Sequence, residues 1–140
     1  MGIVRFEETD LHDELPGPGL YGATITTARL RRSASGNRMV HIVFALEGVV
    51  PGHDRVAEYF VLEGASGRGL ALARRRLVEL YRACGLEPRP GDEIAPEDLV
   101  GTRVEVKLEH ETWQGEMRLR VVGHRRLAGG IDRVEESVPF

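Results

Sequence analysis

A single, mostly β domain is the architecture the sequence predicts: a five-stranded Greek-key barrel with one helix between strands three and four. Two observations carry the prediction. Apolar residues alternate with period two in five separate segments, and once, in the middle of the chain, the period changes to 3.6. Length and composition agree, because 140 residues suffice to bury one core and are too few for two, and 41% apolar with 29% charged residues is a globular composition.

The first strand is expected from Leu20 to Arg32, after the punctuation Gly17-Pro18-Gly19. Its apolar parity runs through Tyr21, Ala23 and Ile25 and then moves to Ala28 and Leu30, the signature of a bulge in a curved strand. Ser33 to Asn37 is a turn by composition and makes a hairpin with the second strand, Arg38 to Glu47. There Val40, Ile42, Phe44 and Leu46 point inward and Met39, His41, Val43 and Ala45 outward. Pro51-Gly52-His53-Asp54 turns the chain into the third strand, about Arg55 to Leu62. Ser66 is a helix cap, and Leu70, Ala73, Leu77, Leu80, Tyr81 and Cys84 then share one helical face until Gly85 ends it. A proline-rich connection, Glu87 to Pro96, leads to the fourth strand, Arg103 to Glu109. The fifth strand turns Met117, Leu119 and Val121 inward and Arg118, Arg120 and Val122 outward.

Three strands, one helix and two strands is the order of the OB fold, a small barrel that binds oligonucleotides on the face of strands two and three and through the loops joining one to two and four to five. An open α+β sheet with the helix packed across it is the competing arrangement. The domain is expected over residues 17–127, between an acidic lead-in, 1–16, and an acidic tail, 128–140.

Charge is distributed unevenly. Residues 1–14 are net −4 and residues 129–140 net −2, so of a total of −3 the middle keeps +3. The cations of that middle are arginines apart from Lys107, and arginine both pairs with phosphate and stacks on planar groups. No apolar run approaches a membrane span, and the N-terminus is acidic rather than a basic leader. The expected location is a reducing cytoplasm, without membrane contact. One cysteine, Cys84, excludes an internal disulfide framework. The five histidines lack metal-ligand spacing and no nucleophile–base constellation stands out, so neither a cofactor, a metal nor an enzymatic activity is expected.

What remains is a binding surface. Trp113, in the loop Glu111 to Gly115, is placed where a core residue is not expected, and stacking on an unpaired base would explain it. Folding back to cap the barrel, or contact with a second subunit, is the structural alternative. Tyr59 and Phe60 are adjacent on one strand, so one points out; Tyr59 is the expected one. Arg29, Arg31, Arg38, His41, Lys107, Arg118 and Arg120 complete a basic, aromatic-studded surface of the kind that binds single-stranded nucleic acid; with the chain's last residues, below, the expected ligand is single-stranded DNA. The alternative is a set of solvated arginines paired with Glu105, Glu109 and Glu116. Arg74, Arg75 and Arg76 read as the solvated face of the helix.

The chain closes on Glu135-Glu136-Ser137-Val138-Pro139-Phe140. This segment resembles the acidic tip of bacterial single-stranded DNA-binding proteins, although less acidic than their usual run. The resemblance implies a partner-binding tail in which Glu135, Glu136, Pro139 and Phe140 engage replication or recombination proteins. Independently of it, a terminal phenylalanine can enter a small apolar pocket beside a basic residue while carboxylates steer the approach. Residues 3–126 also resemble a family of phage-encoded proteins found among replication and recombination genes, through the Gly-Leu-Tyr opening of strand one, the Ser-Gly-Asn turn and Val100 to Val104. Two other functions stay open: an RNA-binding OB module, and a non-catalytic protein–protein adaptor. The phage resemblance implies a bacterial host cell, and a homo-oligomer is left open.

Overall fold

The computed structural model describes residues 2–5, 16–64 and 66–127. The expected tail, with Glu135, Glu136, Pro139 and Phe140, therefore lies outside the described residues.

Five antiparallel strands form one sheet in the order β3-β2-β1-β4-β5. They are β1 (Gly19–Arg32), β2 (Arg38–Leu46), β3 (Arg55–Val61), β4 (Arg103–Trp113) and β5 (Glu116–Arg125). Among the described residues one α-helix, α1 (Gly67–Ala83), lies between β3 and β4 in the chain, and a short 3-10 turn, Pro96–Leu99, begins at the end of the proline-rich connection.

β1 is the organising strand because its length serves two partners. Its first half, Gly19 to Thr24, pairs with Leu108 to Arg103 of β4, while Ala23 to Arg32 pair with β2. The expected bulge is present: the register with β2 shifts between Ile25 and Thr27, and inward parity passes from Ile25 to Ala28. An extra residue at that point increases the local twist and curls the sheet. The curled inner face buries Ile25, Ile42, Phe44, Phe60, Val104, Val106, Leu108 and Val121. Leu80 and Tyr81 of α1 and Leu99 of the 3-10 turn complete this core.

α1 starts where Ser66 Oγ accepts a hydrogen bond from the Gly69 amide at 3.2 Å. It stops at Gly85, whose φ of +89° suits a residue without a β-carbon, and the amides of Gly85 and Leu86 cap the carbonyls of Arg82 and Tyr81. Of the expected apolar face, Leu80 and Tyr81 are buried, whereas Leu77 and Cys84 are only partly covered.

The sheet corrects the closed barrel expected from the strand order. β3 and β5 are its two edges, with no backbone ladder between them. Side-chain contacts of Glu58, Arg76 and His124 link them instead. The β4–β5 hairpin is also longer than expected, since β4 runs on to Trp113 and the turn is only Gln114-Gly115, at φ of +51° and +83°. Two successive positive φ values match the right-handed twist of the flanking strands. The far end of this hairpin extends past the core, so Met117, expected inward, is 55% exposed. A second bulge opposes Leu108 to Val121 but Lys107 to Gly123, and so skips Val122 and turns His124 inward, contrary to simple alternation.

Candidate functional site

Cross-strand register gathers much of the expected surface into a row on the outer face. Arg29 of β1 stands opposite His41 of β2, and His41 opposite Tyr59 of β3. Tyr59 is 51% exposed and its neighbour Phe60 only 2%, as alternation on β3 requires. Tyr59 lies flat on His41, ring centroids 4.7 Å apart and 5° from parallel. This stacking corrects the expectation of an exposed His41: the ring is on the outer face but only 8% exposed, because Tyr59 covers it. Burial, and then the charges of Arg31 and Arg29, hold its pKa below 6.5. The ring is thus neutral at pH 7, free to accept from Arg31, whose Nη1 is 3.4 Å from Nδ1.

The β4–β5 hairpin presents a second aromatic station. Trp113, the last residue of β4, is 52% exposed. The Arg118 guanidinium covers one side of its ring at 4.5 Å, and Arg118 Nε donates to Glu111 Oε2 at 2.8 Å. One face of the indole is therefore backed by a cation–π contact that is itself held by a carboxylate.

A groove of about 550 Å³ runs along the facing edges of β3 and β5. Tyr59 and Arg55 border it on one side, Arg118 and Arg120 on the other, and Glu58 and Arg76 line it as well. Four arginines against two carboxylates, Glu58 and Glu111, give the lining an excess of positive charge, although Arg55 also faces Asp54 at 3.8 Å. The structure thus brings Tyr59, Arg118 and Arg120 together and places His41, Arg29 and Arg31 on the adjoining face. It does not bring in the other two. Arg38 is held by Glu63 at 3.2 Å at the far end of β2, and Lys107 is exposed on β4 opposite Gly123.

Beneath the groove is a buried polar cluster that sequence reasoning missed. Glu58 points inward from β3 between Val56 and Phe60 and is 7% exposed. Its Oε1 is 2.6 Å from His124 Nε2, and its Oε2 accepts from Arg76 Nη2. The same Nη2 donates to the Val121 carbonyl of β5 at 2.6 Å. On its other side, His124 Nδ1 is 2.7 Å from Glu79 Oε1, which also accepts from the His124 amide at 3.0 Å. Phe44 and Phe60 flank the His124 ring, each with its ring centroid 6.0 Å away. Side chains of β3, α1 and β5 therefore join the two sheet edges without a backbone ladder. Arg76 is correspondingly not on a solvated helix face as expected. One signal of this cluster was in the sequence, a carboxylate at an inward position of β3; His124 was hidden by the bulge.

Among the described residues no group of three or more histidine, cysteine or acidic side chains is arranged to hold a metal ion, and no helix is long and apolar enough to cross a membrane. Burial pushes the Cys84 thiol up to about 11, which keeps it protonated at neutral pH. No protein-family model matches the chain, and a search of curated proteins finds no match.

Proposed function

We propose that the chain is an OB-type protein that binds single-stranded DNA without sequence preference, in phage or bacterial replication or recombination, and that its acidic tail recruits partner proteins. The observation that carries this reading is the arginine-rich groove lined by the exposed ring of Tyr59 on β3, with the exposed Trp113 of the β4–β5 hairpin lying against Arg118 of its other wall. A basic track holds the phosphates while the aromatic faces stack bases, and stacking tolerates any base because each has a π face. The strand order β3-β2-β1-β4-β5 supports the same reading, since an OB barrel opened between strands three and five has this order. So does the location of the groove, which combines the edge of β3 with the β4–β5 hairpin.

Trp113 is the sole tryptophan, so its fluorescence reports on the site. Titration with oligo-dT is expected to quench it, and affinity should fall with salt at a log–log slope of about −0.7 per neutralised phosphate. Absence of both quenching and binding at low salt overturns the proposal. Tighter binding of a matched RNA oligomer would move the assignment to RNA, because only contacts to the 2′-hydroxyl favour it. For the tail, deletion of Pro139 and Phe140 is expected to abolish partner capture while leaving oligo-dT affinity intact.

A further inference from the structure

We propose that the seam between α1 and the end of β5 is a second phosphate-binding groove, along which a DNA strand continues after it leaves the first; this rests on the single-strand-binding reading above. The seam encloses about 670 Å³ and is lined by Arg75, Arg82, Arg125 and Arg126 with one carboxylate, Glu79. Glu79 is already engaged, accepting from the ring and the amide of His124. Arg82 pairs with Glu87 at 3.0 Å and Arg125 with Glu105, whereas Arg75 and Arg126 have no carboxylate partner among the described residues. The mouth of the seam is thus cationic and its inner wall is His124, whose side chain is fully buried.

Continuity with the first groove is what points to phosphates of the same strand. Both grooves draw lining residues from α1 and β5. Arg76 lines the first and Arg75 the second, consecutive residues of α1 separated by about 100° around the helix. On β5, Arg118 and Arg120 border the first, and Arg125, with Arg126 just beyond the strand, borders the second. At about 3.3 Å per residue the stretch from Arg118 to Arg126 is roughly 26 Å long. The Glu58–His124–Glu79–Arg76 cluster lies between the two grooves, so the strand passes over a fixed floor.

The test is a ladder of oligo-dT lengths from about 4 to about 24 nucleotides, bracketing the site sizes of single OB domains. Wild type is compared with the double variant Arg75→Glu/Arg126→Glu. Both positions are exposed, and equal melting temperatures establish that the fold is kept. The shortest oligomers that bind should do so equally well to both proteins. The longest should bind the variant about tenfold more weakly, with a salt slope shallower by about 1.4, equivalent to two phosphates. Identical length dependence in the two proteins overturns the proposal, as does an equal loss at every length, which would mean a diffuse field instead of a continued path. Failure of wild type to bind any length overturns the parent reading instead.

Discussion

Two clusters on β5 use the same ingredients, an arginine, a carboxylate and a planar ring, in opposite surroundings. At the hairpin tip, Arg118 lies on Trp113 and pairs with Glu111, in contact with water. Toward the other end, Arg76 pairs with Glu58, which holds His124 against Phe44 and Phe60, and both Glu58 and His124 are buried. The difference shows how environment assigns roles to similar chemistry. A buried carboxylate shared by a guanidinium and an imidazole is costly to remove, because its partners are left without compensation in a medium that cannot solvate them. An exposed pair is worth little to stability, and its groups stay available to a ligand. One cluster joins the sheet edges; the other offers an indole and a cation to solvent.

The sharpest way to break this comparison is to remove the carboxylate from each cluster. Glu58→Ala should destabilise the fold by about 3–5 kcal/mol in urea denaturation, and a loss below about 1 kcal/mol would mean that the buried cluster does not join β3 to β5. Next in size is Trp113→Ala, which should weaken oligo-dT binding, followed by anisotropy, by about 1–3 kcal/mol. Its stability should change by no more than about 0.5 kcal/mol, since half of the ring is in water. The counterpart of Glu58→Ala is Glu111→Ala, expected to alter stability by less than about 1 kcal/mol in the same denaturation series.

The smallest effect concerns His41, a ring covered by Tyr59 and faced by Arg31. Its pKa is lowered in the folded state, so between that value and 6.5 the unfolded chain binds the proton and the folded one does not. This contribution to stability is present above 6.5 and declines as pH falls toward the folded value. The variant His41→Gln should therefore lose less stability than wild type between about pH 7.5 and about pH 5; parallel profiles would contradict the assignment.

The strands were legible because each obeys a local rule. Alternation placed Val40, Ile42, Phe44 and Phe60 inside and Tyr59 outside, and a parity change in β1 announced its bulge. The helix was legible from its period and from Ser66 and Gly85 at its ends. The site was legible only in part. Tyr59, Trp113, Arg118 and Arg120 could be singled out as exposed aromatic and basic groups, but nothing local said that Arg38 would be held by Glu63, or that Lys107 would stand apart. His41 was assigned to the correct face and the wrong exposure, because its cover comes from the neighbouring strand.

Sequence by itself determined the five strands, the helix after β3 and the faces of most residues, since these follow from periodicity and turn chemistry within a few positions of each residue. Tertiary structure decided how the sheet ends. Glu58, Arg76, Glu79 and His124 span 66 residues of chain, and their contacts leave β3 and β5 as edges joined by side chains. That arrangement lies beneath the groove along the two edges, and it depends on distances across the fold that no periodicity encodes.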